Sequence, residues 1–509
     1  MLGYPVIEKI DNKIEMIFSN PLVPLVLIFL SGFLLRLYFT PFDLPSRSQD
    51  AFYFILTALS FQDFENVGGR YFMWSGLLAI IFAPFQFVNY DGYFTILRLL
   101  SILLSSFSGV ILYLIAKQIM SKKFALLSMA FFVIEPNIIE NSIFGMSESL
   151  FILLGLTSFY FAIHKNPKFH LLSFVFAGLA FDTRPNGIIL LVIALLSTYF
   201  RFDSKKQFAK FGGLGVILFL VIITPLILDS TSHISDIRLL DPTTIQRNTP
   251  SFEAGSFDTG NKYLSATITE LIHLVRISVP YLGIFALFGF VVSLTRLNWQ
   301  TKLIIAVIVV SLIVAIPQYT TSVEFKNLFF ITPFFALFAG LGIEYVASDK
   351  KIKNILLVCL VLGLLLASYY FLSERQPETD LILEKEKFGK FVVSNFEGKI
   401  TATNWNYIFH NIEYNVGEPL YKNLSEASII LKTPNFVIHN QKELAEFIQT
   451  NRIDYLIIDD EGDIRLVISL DIYFNEEKYP FLKKVFDSDF NDYQKYRVKI
   501  FEVDYSKLE

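Results

Sequence analysis

The chain has 509 residues, 53% hydrophobic and only 18% charged, with a formal net charge of −4 and a mean hydropathy of +0.51. A soluble globular chain carries about a quarter charged residues, so the deficit here is in charge, and the slightly acidic balance excludes the basic signature of a nucleic-acid partner. One cysteine, Cys359, excludes a disulfide framework and a thiolate metal site.

The apolar residues are bunched into runs of roughly sixteen to twenty, the pattern of bilayer-spanning helices. The 54 Phe and 24 Tyr suit a lipid-facing surface with interfacial belts. The run 21–38 is too long for a signal-peptide core and lacks a small-residue cleavage site, so it is expected to be an uncleaved anchor. Ten later runs follow, at 97–117, 124–138, 146–163, 168–182, 185–200, 211–229, 279–295, 301–317, 327–346 and 354–372. Basic residues recur every second loop: Lys117, Lys122 and Lys123; Lys165 and Lys168; Arg201, Lys205, Lys206 and Lys210; Arg296 and Lys302; Lys350, Lys351 and Lys353. The positive-inside rule puts all five clusters in the cytoplasm. The alternate loops, including a first outer loop at 41–75 and a large one at 230–278, then face outside, as does everything after residue 372. The segment 74–90 breaks the count; Trp74, Pro84 and its marginal length predict an interfacial or re-entrant element.

Residues 373–509 are ordinary in charge. Strand-like stretches at 399–405, 455–459 and 497–503 and a helix-like one at 441–450 predict a small α/β domain. The expected architecture is a polytopic α-helical membrane protein of about eleven transmembrane helices. One interfacial segment accompanies them, residues 1–372 form the membrane domain, and 373–509 form an extracytoplasmic α/β domain. The amino terminus is expected in the cytoplasm. Asn423-Leu-Ser425 is a glycosylation sequon.

Six outer positions could carry chemistry. Asp50, in the loop PFDLPSRSQDAFY (41–53), could be a general base; a helix start capped by Ser48, with Asp50 in its first turn, explains it as well. Arg47 in the same loop could bind phosphate. Glu148 stands at the outer mouth of an apolar run, costly unless it faces a cavity or partner; first-turn dipole compensation competes. Glu140 is a weaker candidate in the same stretch. Arg184, in FDTRPNG, is basic on the wrong side for orientation, and a guanidinium grips phosphate bidentately; a salt bridge to Asp182 or Asp50 is the alternative. Lys326 could neutralise a lipid phosphate, or pair with Glu324 and snorkel.

These stretches resemble the GT-C superfamily of polytopic glycosyltransferases that use polyprenyl-phosphate sugars. Gln49-Asp50-Ala-Phe-Tyr53 places an acid before aromatics in the first outer loop, where such enzymes have their catalytic acid. Ser147-Glu148-Ser-Leu-Phe151, followed by Thr183-Arg184-Pro-Asn-Gly187, is similar to the SESLF and TRxNG pair of the GPI mannosyltransferases. The layout of many spans and an external domain is similar to the protein mannosyltransferase and aminoarabinose transferase branch. The likeness covers residues 21–372.

The resemblance implies an inverting transfer of mannose or another hexose. The donor is a polyprenyl- or dolichyl-phosphate-linked sugar, and the acceptor is a hydroxyl on protein, glycan or lipid at the external membrane face. The membrane would be the cell membrane of a prokaryote or the endoplasmic reticulum of a eukaryote, with membrane lipids as further partners. Asp50 would deprotonate the acceptor, and Arg184 with Lys326 would stabilise the leaving phosphate. Glu148 would orient hydroxyls or share a divalent metal, Mg or Mn; Gln49-Asp50 in place of paired acids argues against a tightly held one. A transporter or flippase of lipid-linked sugars would instead place charges near the bilayer midplane and show two-fold repeats. A sensor would need fewer spans, and an oligosaccharyltransferase would need a metal-binding acid pair and a sequon reader.

Overall fold

The computed structural model describes residues 20–42, 44, 49–62, 72–85, 90–166, 169–202, 204–229, 262–278, 280–295, 298–319, 325–349, 354–375, 379–403, 407–408, 429–432, 438–462 and 466–508. Arg47, residues 230–261 and Asn423 lie outside the described residues. In the helical section α1 is Leu22–Phe39, α2 Gln49–Gln62, α3 Phe72–Phe82, α4 Tyr90–Ala116, α5 Lys122–Val133, α6 Pro136–Ile143, α7 Glu148–Ile163 and α8 His170–Thr183. Then come α9 Ile188–Arg201, α10 Lys205–Asp229, α11 Lys262–Ile277, α12 Leu282–Leu294, α13 Trp299–Tyr319, α14 Thr332–Asp349 and α15 Asn354–Glu374. Short 3-10 segments, Pro185–Gly187 and Phe325–Ile331, lead into α9 and α14.

Among the described residues six helices are long and apolar enough to cross a membrane, or up to eight if the bent pairs α5–α6 and α11–α12 each form one span. The chain is an integral membrane protein. Eleven crossings are reached only if α7, α8 and α9 also cross. The 14 residues of α8 extend roughly 21 Å against a hydrocarbon core of ~30 Å, which requires a locally thinned bilayer. With 11 residues, α3 extends only about 16 Å. Its Trp74, read from the sequence as an interfacial flank, is instead fully buried and edge-on to Phe54.

Two stretches read as loops contain helices. The first outer loop holds α2 and the start of α3, and the large outer loop ends in α11, which meets α12 at 107°. α11 turns Tyr263, Leu271 and Val275 outward while Ala266, Thr269 and Glu270 are buried. An outward apolar face suits lipid, which is why its period did not register as a soluble amphipathic helix.

Glycine lets the central pair close up. Gly289 of α12 and Gly342 of α14 face each other, with the Gly289 Cα 2.8 Å from where a Cβ on Gly342 would stand. Small residues at such crossings let membrane helices pack by close backbone contact.

A helix break organises one end of the bundle. α5 and α6 meet at 52°, where Glu135 caps α6 by accepting from Ile138 N at 2.8 Å and Pro136 takes the first helical position. The break removes helical partners from the carbonyls of Val133 and Ile134. Arg36 of α1 donates to Val133 O at 2.6 Å, while Tyr281 and Ser368 donate to Ile134 O at 3.0 and 2.5 Å. In lipid every such group needs an internal partner. Arg36 also holds Ser142 of α6 and Ser105 of α4.

The carboxy-terminal section has its own apolar clusters. Helix α16, Thr379–Asn395, precedes strands β1 Gly398–Ala402, β2 Ile429–Leu431, β3 Tyr455–Asp459, β4 Leu482–Asp487 and β5 Val498–Val503 in the order β2-β1-β3-β5-β4. β2, β1 and β3 are parallel, and β5 and β4 add antiparallel. Helix α17, Gln441–Asn451, starts at a reciprocal cap in which Asn440 accepts from Glu443 N and Glu443 accepts from His439 N. Helix α18, Ser469–Phe474, follows β3.

Replacing Arg36 by Met should destabilise the detergent-solubilised protein by about 1–3 kcal/mol, the cost of leaving a buried carbonyl unsatisfied. Leu34→Ala, on an outward face (58% exposed), should change little. Denaturant unfolding of the two variants beside wild type checks this, and equal stability would mean that the break has other donors.

Candidate active site

Two sequence-remote segments meet at the amino-terminal end of α7, and a third is fastened to α4, the helix on which that end rests. The first is α7 itself. Gly145, at φ 75°, lies against α4, where a Cβ would stand 2.7 Å from Leu97 Cγ, so the tight turn before α7 requires glycine. Ser149 then shares a 2.7 Å hydrogen bond with Ser101 of α4. These contacts seat Ser147 and Glu148 at the start of α7, both buried.

The second segment is the α8–α9 turn. Arg184 N bonds Ala180 O at 2.8 Å to close α8, Pro185 opens the 3-10 turn, and Gly187 N returns to Arg184 O at 2.8 Å. A Cβ on Gly187 would strike the Phe181 backbone, which explains the glycine of TRPNG. The turn throws Arg184 inward, 7% exposed, against Glu148, 2% exposed. Its Nη1 donates to Glu148 Oε1 and, at 3.3 Å, to Ser147 Oγ. Glu148 Oε2 is buried without a partner. Of the alternatives expected for Arg184, a pair with Asp182 does not form, and a described partner is Glu148, the other singled-out residue.

The third segment is the loop after α1. Arg98, one turn before Ser101 on α4, donates to Pro41 O at 2.7 Å and Leu44 O at 3.1 Å. The loop is thereby tied to the same turn of α4 that holds Ser149. Asp50 stands half-buried in the first turn of α2. Leu44 also packs with Ile382 of α16 and Tyr407, so the loop touches the carboxy-terminal section.

Lys326 is the second residue of the Phe325–Ile331 turn; its side chain lies outside the described residues. The turn itself borders the site, because the Phe330 ring packs tilted against Phe151 of α7 at 5.2 Å and fills the notch at Gly155. Glu140, expected in a polar loop, is on α6 and pairs with Arg375 at 2.9 Å. The opposite end of the bundle carries the basic loops: Ser121 N is capped by Glu344 at 2.9 Å, Lys123 holds Asn354 at 2.8 Å, and Arg201 donates to His164 O.

Sequence reasoning missed Arg36, Arg98 and Glu135, all buried. Each is an ionisable residue in or beside an apolar run, which was a usable signal. Among the described residues no three His, Cys, Asp or Glu side chains gather so as to hold a metal ion.

The family model for dolichyl-phosphate-mannose-protein mannosyltransferases matches residues 88–228, a stretch that contains Arg98, Glu148 and Arg184 but not Asp50 or Lys326. No curated protein sequence matches significantly. Among solved structures, ArnT from Cupriavidus metallidurans bound to undecaprenyl phosphate is 11% identical, with TM-score 0.59, covering 95% of this chain and 98% of that one. The Archaeoglobus fulgidus oligosaccharyltransferase in its apo form is 10% identical with TM-score 0.58, covering 87% of this chain and 70% of that one. The oligosaccharyltransferase AglB from Archaeoglobus fulgidus, with an inhibitory peptide and a dolichol-phosphate, aligns at 12% identity and TM-score 0.53, over 87% and 69% of the two chains.

Removing Arg184 alone should leave Glu148 buried and uncompensated. Arg184→Ala should therefore cost about 3–5 kcal/mol, and the double change Glu148→Gln with Arg184→Met much less. Unfolding of the single and double variants gives the coupling; strictly additive losses would show that the two side chains do not depend on each other. In fold the chain is similar to these membrane glycosyltransferases, and over residues 88–228 its sequence matches the mannosyltransferase family model.

Proposed function

We propose that the protein is an inverting glycosyltransferase that moves a sugar, mannose or another hexose, from a polyprenyl-phosphate donor to an acceptor hydroxyl at the external membrane face. The observation that carries this reading is the buried Arg184–Glu148 pair at the bundle end away from the basic loops, tied through α4 to the loop that leads to Asp50. An arginine at that end does nothing for orientation, and burying it with its carboxylate is costly enough to make the pair a functional-site hypothesis. The lipid donor follows from topology, since nucleotide sugars are cytoplasmic. ArnT bound to undecaprenyl phosphate and AglB with dolichol-phosphate support a donor of that class.

In this reading residues 1–372 are the catalytic membrane domain and 373–509 an external α/β domain. Asp50 accepts the proton of the acceptor hydroxyl as its oxygen bonds to the anomeric carbon. The bond from that carbon to the phosphate oxygen breaks, and the lipid phosphate leaves with the electron pair. Arg184 stabilises the charge that develops there, with Lys326 and Arg47 as further phosphate contacts. Glu148 holds Arg184 through Oε1 and offers Oε2 to a substrate hydroxyl. The described side chains do not form a metal site, so no step here runs through Mg or Mn. Arg36 and Glu135 sit inside the bundle, where a flippase would carry charge, yet their hydrogen bonds go to the helix break, which makes them structural.

Label should pass from radiolabelled polyprenyl-phosphate hexoses to membrane acceptors with wild type. Asp50→Asn should lower kcat by about 10²–10⁴-fold, the range for loss of a general base, with donor binding retained. Equal transfer by both proteins would reduce Asp50 to a first-turn helix residue. Label that crosses the bilayer without being transferred would favour a flippase.

A further inference from the structure

α8 ends Phe181-Asp182-Thr183-Arg184, and the two charged residues part company. Arg184 turns to Glu148; Asp182 does not follow. Asp182 is 4% exposed, and its Oδ1 is buried without a hydrogen-bond partner. A carboxyl taken into a membrane bundle with no donor is a net cost to folding.

The defect is not isolated. α3 packs against α8 and carries Trp74 and Ser75, both fully buried, whose Nε1 and Oγ also lack partners. Two helices in contact therefore carry an acceptor without a donor and an indole N–H and a hydroxyl without acceptors, and the three do not satisfy one another. The neighbouring seams are matched: Ser158 donates to Ser173 O at 2.7 Å and Ser197 to Ala162 O at 2.6 Å. A buried polar group left unmatched calls for an explanation, and a substrate that completes its hydrogen bonds is one.

The unmatched set has a chemical preference. A carboxylate repels phosphate, so the seam is wrong for the anion that suits Arg184. Sugar hydroxyls both donate and accept, which fits a carboxylate, an indole N–H and a serine together. We propose that the α3–α8 seam reads the hydroxyls of the transferred sugar, with Asp182 as its principal acceptor. This rests on the lipid-linked sugar donor proposed above and adds the residue that selects the sugar.

The test uses a series of polyprenyl-phosphate sugars in which each hydroxyl is replaced in turn by hydrogen, with purified wild type, Asp182→Asn and Asp182→Leu. With wild type, one deoxy donor should lose about 10- to 100-fold in kcat/KM, the range for a hydrogen bond to a charged group. Asp182→Leu should lose a similar factor with the intact sugar and little more with that deoxy donor. Asp182→Asn should fall between, and it supplies the readout if Leu is not tolerated. Both variants should unfold at or above the wild-type temperature, because an unpartnered buried charge is gone. Unchanged discrimination among deoxy donors in both variants would overturn the assignment while leaving the transferase reading intact, as would a marked loss of stability in both. No transfer by wild type from any lipid-linked sugar would overturn the transferase reading and this assignment with it.

Discussion

A broken helix in a medium without water is the constraint on which the rest depends. Pro136 has no N–H to give the preceding turn, and Ile138 N bonds to the Glu135 carboxylate instead of continuing the ladder. Two carbonyls are thereby orphaned at bilayer depth, where each needs an internal donor. Arg36 comes from α1, Tyr281 from the start of α12 and Ser368 from α15. Three elements distant in sequence are thus committed to one place. Asn137 reinforces it by donating to Ile277 O at 3.2 Å, and Arg375 donates to Asn137 Oδ1 at 2.9 Å. The break also redirects the chain, so that α6 leads into the Gly145 turn and sets Glu148 inside the bundle.

The Glu148–Arg184 pair has a different character. A buried ion pair is often no better for stability than two well-packed apolar side chains, so folding alone does not call for it. The Arg36 contacts answer an obligation of the backbone; the Glu148 contacts answer none. Arg98 makes the distinction sharper. It too is a buried arginine at this end, but its Nη1 goes to the carbonyls of Pro41 and Leu44, which makes it a fastening for the loop. Arg184 is the arginine held by a carboxylate, and a carboxylate is the partner that an incoming phosphate resembles in charge and geometry.

The sequence made the one-dimensional part of this structure legible. Apolar runs located the helices, and TRPNG announced a turn because proline and glycine both interrupt a span. The strand patterns at 399–405, 455–459 and 497–503 coincide with β1, β3 and β5. What could not be read was which ends meet. Glu148 and Arg184 are 36 residues apart, and no local period encodes their contact. Trp74 was misread because an aromatic beside an apolar run is a good interfacial signal, and only tertiary packing shows that α2 covers it. α11 was taken for loop because its polar residues Thr269 and Glu270 face inward, the reverse of the soluble pattern. Arg36 and Arg98 were overlooked because each is one charge in a long apolar run, where the hydrophobic signal dominates.

The first loop is the place where these constraints converge. Its backbone is fastened to α4 by Arg98, and the same helix, one turn on, fixes the start of α7 through Ser101 and Ser149. Glu148 and the loop are therefore positioned by one rigid element instead of by each other. Leu44 closes the other side, packed on Ile382 and Tyr407, and Lys385, one turn beyond Ile382 on α16, lies 5.9 Å from the Tyr407 ring and pairs with Glu461 at 2.7 Å. Glu461 follows β3 at its carboxyl end. A displacement of the sheet would thus be felt first at the loop that leads to Asp50, through apolar contact, and only indirectly at Arg184, which is held within the helical section. The loop that leads to Asp50 and the start of α7 that carries Glu148 are thus referred to the same helix, and of the two it is the loop whose described contacts also reach the carboxy-terminal section.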